Sequence, residues 1–197
     1  GTTPFQCGVT GHNHKADFLN KNKFKSKPSP GTQPTRQARS SGAELRTYRL
    51  AVATTGEYSE YHGDSVEDSL SSVVKVVNRV NGIFNSEVSV GFELIENNDE
   101  LIFIDAETDP FEGNLDDAVL IEESQTVIDD VIGTENYDIG HTFGGGGSGL
   151  ASTGPCQEGY KAKGISGGTE GDAFAVDYVA HEIGHQFSMD HTFNTNS

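Results

Sequence analysis

The chain has 197 residues, 34% of them hydrophobic, and a formal net charge of −17. That is enough for one ordinary domain with a core plus a tail, and the acid excess argues against nucleic acid and anionic membranes as partners. No apolar run is long enough to cross a bilayer, and no signal-peptide pattern opens the sequence.

The charge is unevenly placed. Residues 1–43 hold seven of the 13 Lys and Arg against one acid, Asp17, so that stretch is +6 and the remainder is −23. A basic arm precedes an acidic body, and the two attract each other in a salt-dependent way. Residues 11–43 are rich in Lys, Asn, Ser, Pro and Gly, with too little apolar surface to bury, and read as extended chain. Within them RQARS, Arg36 to Ser40, is basic and suits a processing protease acting near Arg39 and Ser40; a solvated linker is the competing reading. The two cysteines, Cys7 and Cys156, are compatible with one disulfide or with one metal-seeking thiol and one that pairs elsewhere.

From Leu45 the pattern becomes that of a folded domain. YRLAVAT alternates Tyr48, Leu50 and Val52 on one face and predicts a strand. Asp64-Ser65-Val66-Glu67 reads as a capping start, after which Val66, Leu70, Val73, Val77, Val80 and Phe84 recur at three and four residues, the mark of a long amphipathic helix. Val88, Val90, Phe92 and Leu94 alternate as a strand, and LIFI at 101–104 predicts a short buried one. Residues 114–132 predict a second helix, with Asn114 as cap and Gly133 as terminator. YDIGHTF at 137–143 is a further strand. The mixed order predicts an α/β domain with helices packed on a sheet. GGGGSG at 144–149 then interrupts; either a ligand lies against bare backbone there or the run is a flexible turn.

The chemistry concentrates in HEIGHQFSMDH, residues 181–191. Asp172 is placed to cap a helix in which Val176, Val179, Ala180, Ile183 and Phe187 form an apolar stripe. His181 and His185 fall on the opposite face, one turn apart, and share one space. Two neutral imidazoles so placed bind zinc, and Glu182 on the adjoining flank can take a proton from an attacking water. His191 lies six residues past His185 and reaches the same space if the chain turns after Phe187. Three protein ligands leave one position open, as catalytic zinc requires. The reaction class is peptide-bond hydrolysis.

These residues carry a resemblance. HEIGHQFSMDH is similar to the metzincin signature HExxHxxGxxH, and HEIGHQF followed by HTFN resembles the reprolysin (adamalysin) branch, particularly its secreted bacterial members. The likeness extends through RTYRLAVATTGEYSEYHG, YDIGHTF and the glycine run, across most of residues 45–196. It implies a metzincin-like catalytic domain: a twisted mixed sheet, two long helices and an active-site helix. It implies His181, His185 and His191 as zinc ligands and Glu182 as base. It also implies an edge strand near Gly146, Gly147, Ser148, Gly149 and Leu150 on which an extended protein or peptide substrate pairs. FQCGVT, Phe5 to Thr10, resembles the reprolysin propeptide motif whose cysteine blocks the zinc. On that reading residues 1–43 are a propeptide and 44–197 a catalytic domain, secreted in latent form with Cys7 as inhibitory fourth ligand. A Cys7–Cys156 disulfide is the alternative.

Two departures stand out. Ser188 replaces the signature glycine, so a left-handed turn there carries strain of order 1 kcal/mol. The family's methionine turn and pocket wall are expected after Ser197, which makes a further part of the same protein an expected partner; Met189 lies inside the zinc motif and is not that methionine. Elsewhere, His12, His14 and His62 read as solvated and His141 as a satisfied core or edge histidine. Asp105, Glu107, Asp109 and Glu112 form a carboxylate cluster for which calcium is a secondary expectation beside a plain acidic surface. The rival functions are an acidic binding domain with a structural zinc and an inactive pseudo-protease.

Overall fold

A computed structural model describes residues 44–113 and 115–191; Cys7, His12, His14, Arg39 and Ser40 of the arm, and the cap expected at Asn114, lie outside them. The fold is built outward from β1 (Arg46–Thr54), whose residues are all buried from Leu50 onward. Full burial arises because both faces are covered. Leu50 and Val52 join a cluster with Val73, Val77, Val80 and Phe84, while Ala51 and Ala53 join one with Leu120, Ile121 and Ile128.

After a short helix α1 (Gly56–Tyr61), capped by Thr55, comes α2 (Val66–Glu87). Its start is set by Ser65, whose hydroxyl accepts from the Asp68 backbone N–H at 3.1 Å and donates to the Asp68 carboxylate at 2.6 Å. Asp68, rather than Glu67, is therefore the partner in a close relative of the capping box. The predicted stripe faces the sheet, except that Val66 in the first turn remains 37% exposed. β2 (Val90–Leu94) pairs parallel to β1, in register from Arg46↔Val90 to Leu50↔Leu94.

The strand expected at 101–104 is not formed. Asn98–Leu101 is a 3-10 turn, and Ile102 touches the sheet through a single parallel bridge to Thr54. The buried Asn98 amide takes the ladder's place: it accepts from Val52 N–H at 2.8 Å and donates to Val52 C=O at 3.0 Å. Leu101 and Ile102 are buried, so the apolar run reported burial rather than strand pairing.

α3 (Asp117–Ile132) starts later than expected, with Asp116 as its cap, and ends at Gly133, whose φ of +84° suits a residue without Cβ. β3 (Ile139–Gly144) follows, then β4 (Gly149–Ala151) and β5 (Gly164–Gly167). The sheet order is β2-β1-β3-β5-β4, parallel except for β4, which runs antiparallel to β5 at the edge. β5 was invisible in the sequence because four residues of GISG offer no alternation to read. The last helix among the described residues is α4 (residues 173–186), packed with α2 on one face of the sheet while α3 covers the other. The result is the mixed α/β architecture expected, with the site where α4 passes the edge strand.

Candidate metal centre and active site

α4 changes geometry along its length. Ala173–Ala180 is π-helical and His181–Gln186 is α-helical. The wider π turn, with its i→i+5 bonds, resets which side chains face inward. Phe174, Val179 and Ile183 are buried, five and then four residues apart, with Ala175 buried beside Phe174, whereas Val176 and Ala180 of the expected stripe are only half-buried. Both of these line a groove with Ile83, Phe84 and Met189. Asp172 is not a cap: its backbone is already helical, and its carboxylate receives Arg79 at 2.9 Å.

The α-helical half carries His181 and His185, and the turn after it brings His191 beside them. The Nε2 atoms of His181, His185 and His191 form a triangle with sides of 3.0, 3.1 and 3.0 Å. A tetrahedral zinc ion with nitrogen ligands at about 2.0–2.1 Å places those nitrogens about 3.3 Å apart, so the trio fits the ion within a few tenths of an ångström. His185 Nδ1 lies 2.7 Å from the Met189 carbonyl. A carbonyl can only accept, so Nδ1 carries the proton and Nε2 keeps its lone pair for a metal. Burial, aided by neighbouring His185 and His191, holds His181 below the ordinary imidazole range, which favours the neutral ligand form. Among the described residues this is the one cluster of three or more His, Cys, Asp or Glu suited to a metal.

His191 arrives because the helix stops after Gln186. Ser188 adopts φ +65°, the left-handed turn expected at the glycine position of the signature. Its N–H donates to His185 C=O at 2.9 Å, and Met189 N–H donates to Gly184 C=O at 3.0 Å. These bonds turn the chain back over α4 and form an open cavity of about 380 Å³ lined by His181, Gly184, His185, Met189, Asp190 and His191.

Glu182 lies on the flank of the helix that faces β4. It is only 8% exposed, and burial raises its carboxyl pKa, with Asp117 adding to the effect against the charge of His185. Gly149 explains part of the glycine run. A Cβ there would sit 2.7 Å from both Cγ and Oε1 of Glu182, so only a bare backbone lets the glutamate lie against the edge strand. Gly146 is close to the Gly167 backbone, and Gly147 faces open space. Leu150 projects from the edge strand, 40% exposed.

Sequence reasoning missed the clamp behind the site. Gln186 is 1% exposed; its Oε1 accepts from His141 Nδ1 at 3.0 Å and its Nε2 donates to Gly140 C=O at 2.9 Å. His141 Nε2 then takes the Ser166 hydroxyl at 2.9 Å. The signal was present: Gln186 follows Ile183 by three residues and so occupies a core position with a polar side chain. His62, expected at the surface, is half-buried, with Nε2 2.8 Å from Thr169 C=O and its ring against Tyr58.

The calcium expectation finds no support. Asp105 accepts from Glu107 N–H and the Thr108 hydroxyl, and Asp109 accepts from the N–H groups of Gly56 and Phe111. These carboxylates hold turns. Cys156 is disulfide-bonded.

The comparison with protein families agrees with the geometry. A profile described as metallo-peptidase family M12B, reprolysin-like, matches residues 44–197. The chain belongs to that family. The reprolysin-like domain thus accounts for everything after the basic arm, and its metallopeptidase class agrees with the histidine trio. A comparison with curated proteins finds no match. No helix among the described residues is long and apolar enough to cross a membrane.

Proposed function

We propose that the protein is a secreted zinc endopeptidase that hydrolyses internal peptide bonds of proteins or peptides. The observation that carries this is the triangle of three Nε2 atoms beside a buried glutamate on the same helix. Zinc held by His181, His185 and His191 supplies a Lewis acid that polarises the scissile carbonyl and acidifies water. Glu182 takes the proton of the attacking water and returns it to the leaving amine. The raised pKa of Glu182 suits both halves of that task, since a base must later act as an acid. The open edge of β4, from Gly149 to Ala151, offers backbone groups to an extended substrate, with Gly146, Gly147 and Ser148 bordering its entry.

Replacing Glu182 with Gln tests the reading. Cleavage of a denatured protein substrate by the active enzyme should fall about 10²–10⁴-fold while bound zinc stays constant. Equal cleavage by the Gln variant would end the role of Glu182 as base.

Latency is the finer part of the proposal. In the reading from the propeptide motif, Cys7 blocks the fourth zinc position until the arm is cut near Arg39 and Ser40. A Cys7–Cys156 disulfide is the alternative arrangement. A thiol held in a disulfide is not a zinc ligand. Peptide mapping without reductant decides between them. A Cys7–Cys156 crosslinked peptide retires the blocking role, and a free Cys7 whose alkylation releases activity supports it.

A further inference from the structure

The glycine run is not loose, because one side chain within it is tethered to the start of α3. The Ser148 hydroxyl donates to the Asp117 carboxylate at 2.8 Å, and Asp117 opens α3. The Ser148 carbonyl accepts from Gly167 N–H at 2.5 Å, which ties the same residue to β5. The next residue, Gly149, is the one whose missing Cβ makes room for Glu182. One residue therefore links α3, the edge of the sheet and the wall against which the glutamate rests.

Accepting the protease reading above, we propose that Ser148 and Asp117 are positioning residues for Glu182. The tether holds the backbone of Gly149 against the glutamate side chain, so that its carboxylate keeps one position beside the edge strand while β4 remains straight for a substrate. Without the tether four glycines in a row, 144–147, lead toward a strand of only three residues, and glycine restrains its own backbone least. The hydrogen bond is exposed, so its worth lies in where it holds the loop rather than in global stability.

The test uses the full chain with zinc bound, in its active form, and the variants Ser148→Ala and Asp117→Ala. Two readouts are taken: backbone amide exchange over residues 145–150, and kcat and KM on an extended peptide. Both variants should raise exchange in that segment alone and lower kcat about tenfold at constant zinc content and Tm. The double variant should be no worse than either single, since both remove the same bond. Ser148→Thr and Asp117→Asn, which keep a donor and an acceptor, should recover most of the loss. Unchanged exchange would overturn the tether. Raised exchange with unchanged kcat, or losses that add in the double variant, would overturn the positioning role. A wild-type chain that cleaves nothing when zinc-loaded would retire the protease reading and the positioning role together, while the exchange data would still report on the tether.

Discussion

A trio of histidines and a single buried one lie on either side of one helical turn, and their surroundings differ in every respect that matters. His181, His185 and His191 stand at the surface with their Nε2 atoms turned on one another at 3.0–3.1 Å. His141 is 0% exposed, and both its nitrogens are engaged, by Gln186 and by Ser166. His185 and Gln186 are neighbours in sequence, yet one faces the cleft and the other the interior. An imidazole is suited to a metal where the fold turns one of its nitrogens toward those of other imidazoles. It becomes part of the core where the fold engages both. Residue type does not make that choice.

The contrast can be broken from the metal side first. His185→Ala should lower zinc affinity by more than the 10–100-fold typical of losing an outer-shell partner, and remove cleavage with it, while the core stays folded. Zinc content by atomic absorption, with circular dichroism as control, measures this. A variant that keeps its zinc would mean that the trio is not the metal site.

From the interior side, Gln186→Leu keeps size but leaves His141 Nδ1–H and Gly140 C=O unpaired. The expected loss is about 3 kcal/mol, from two buried polar groups at roughly 1–3 kcal/mol each. For a domain of this size that lowers Tm by roughly 6–12 °C. Metal binding by the folded fraction should change far less than in His185→Ala. Equal damage to zinc affinity would show that clamp and metal site are one unit.

Acid sharpens the comparison. Burial lowers the His141 pKa from 6.5 to about 4. Below about pH 6.5 the unfolded chain binds a proton at this residue that the folded chain refuses until about pH 4, so stability falls as pH drops through that window. The shift corresponds to about 3 kcal/mol at full extent. The His141 ring resonance should stay that of a neutral imidazole down to about pH 5, and a midpoint near 6.5 would place the ring in solvent. The smallest effect is expected at the start of α4. Asp172→Ala removes an exposed ion pair with Arg79 and no cap, and should leave the melting temperature within experimental error. A clear drop in a thermal melt would restore the capping role.

The periodic parts of the chain were legible because their signals are local. The α2 stripe, the alternation in β1 and the two histidines one turn apart each depend on residues within a few positions of one another. The left-handed turn at Ser188 was legible for the same reason. The π-helical half of α4 was not, because a helix of another pitch carries no separate composition mark, and reading it at 3.6 residues per turn placed Val176 in the core, which it does not join. LIFI misled because burial and strand pairing leave the same apolar trace, and the Asn98 amide that stands in for the ladder lies 46 residues along the chain from the Val52 it bonds.

By itself the sequence determined which residues can bind zinc, which carboxylate stands beside them, and that sheet and helices alternate. Each of these follows from side-chain chemistry and short spacing. Only the tertiary structure decided that Gly149 is bare because Glu182 fills its side-chain space, that Gln186 locks α4 to His141, and that Ser148 reaches Asp117. Those pairs are 31 to 45 residues apart. No periodicity spans such distances; the sheet order β2-β1-β3-β5-β4 brings them together.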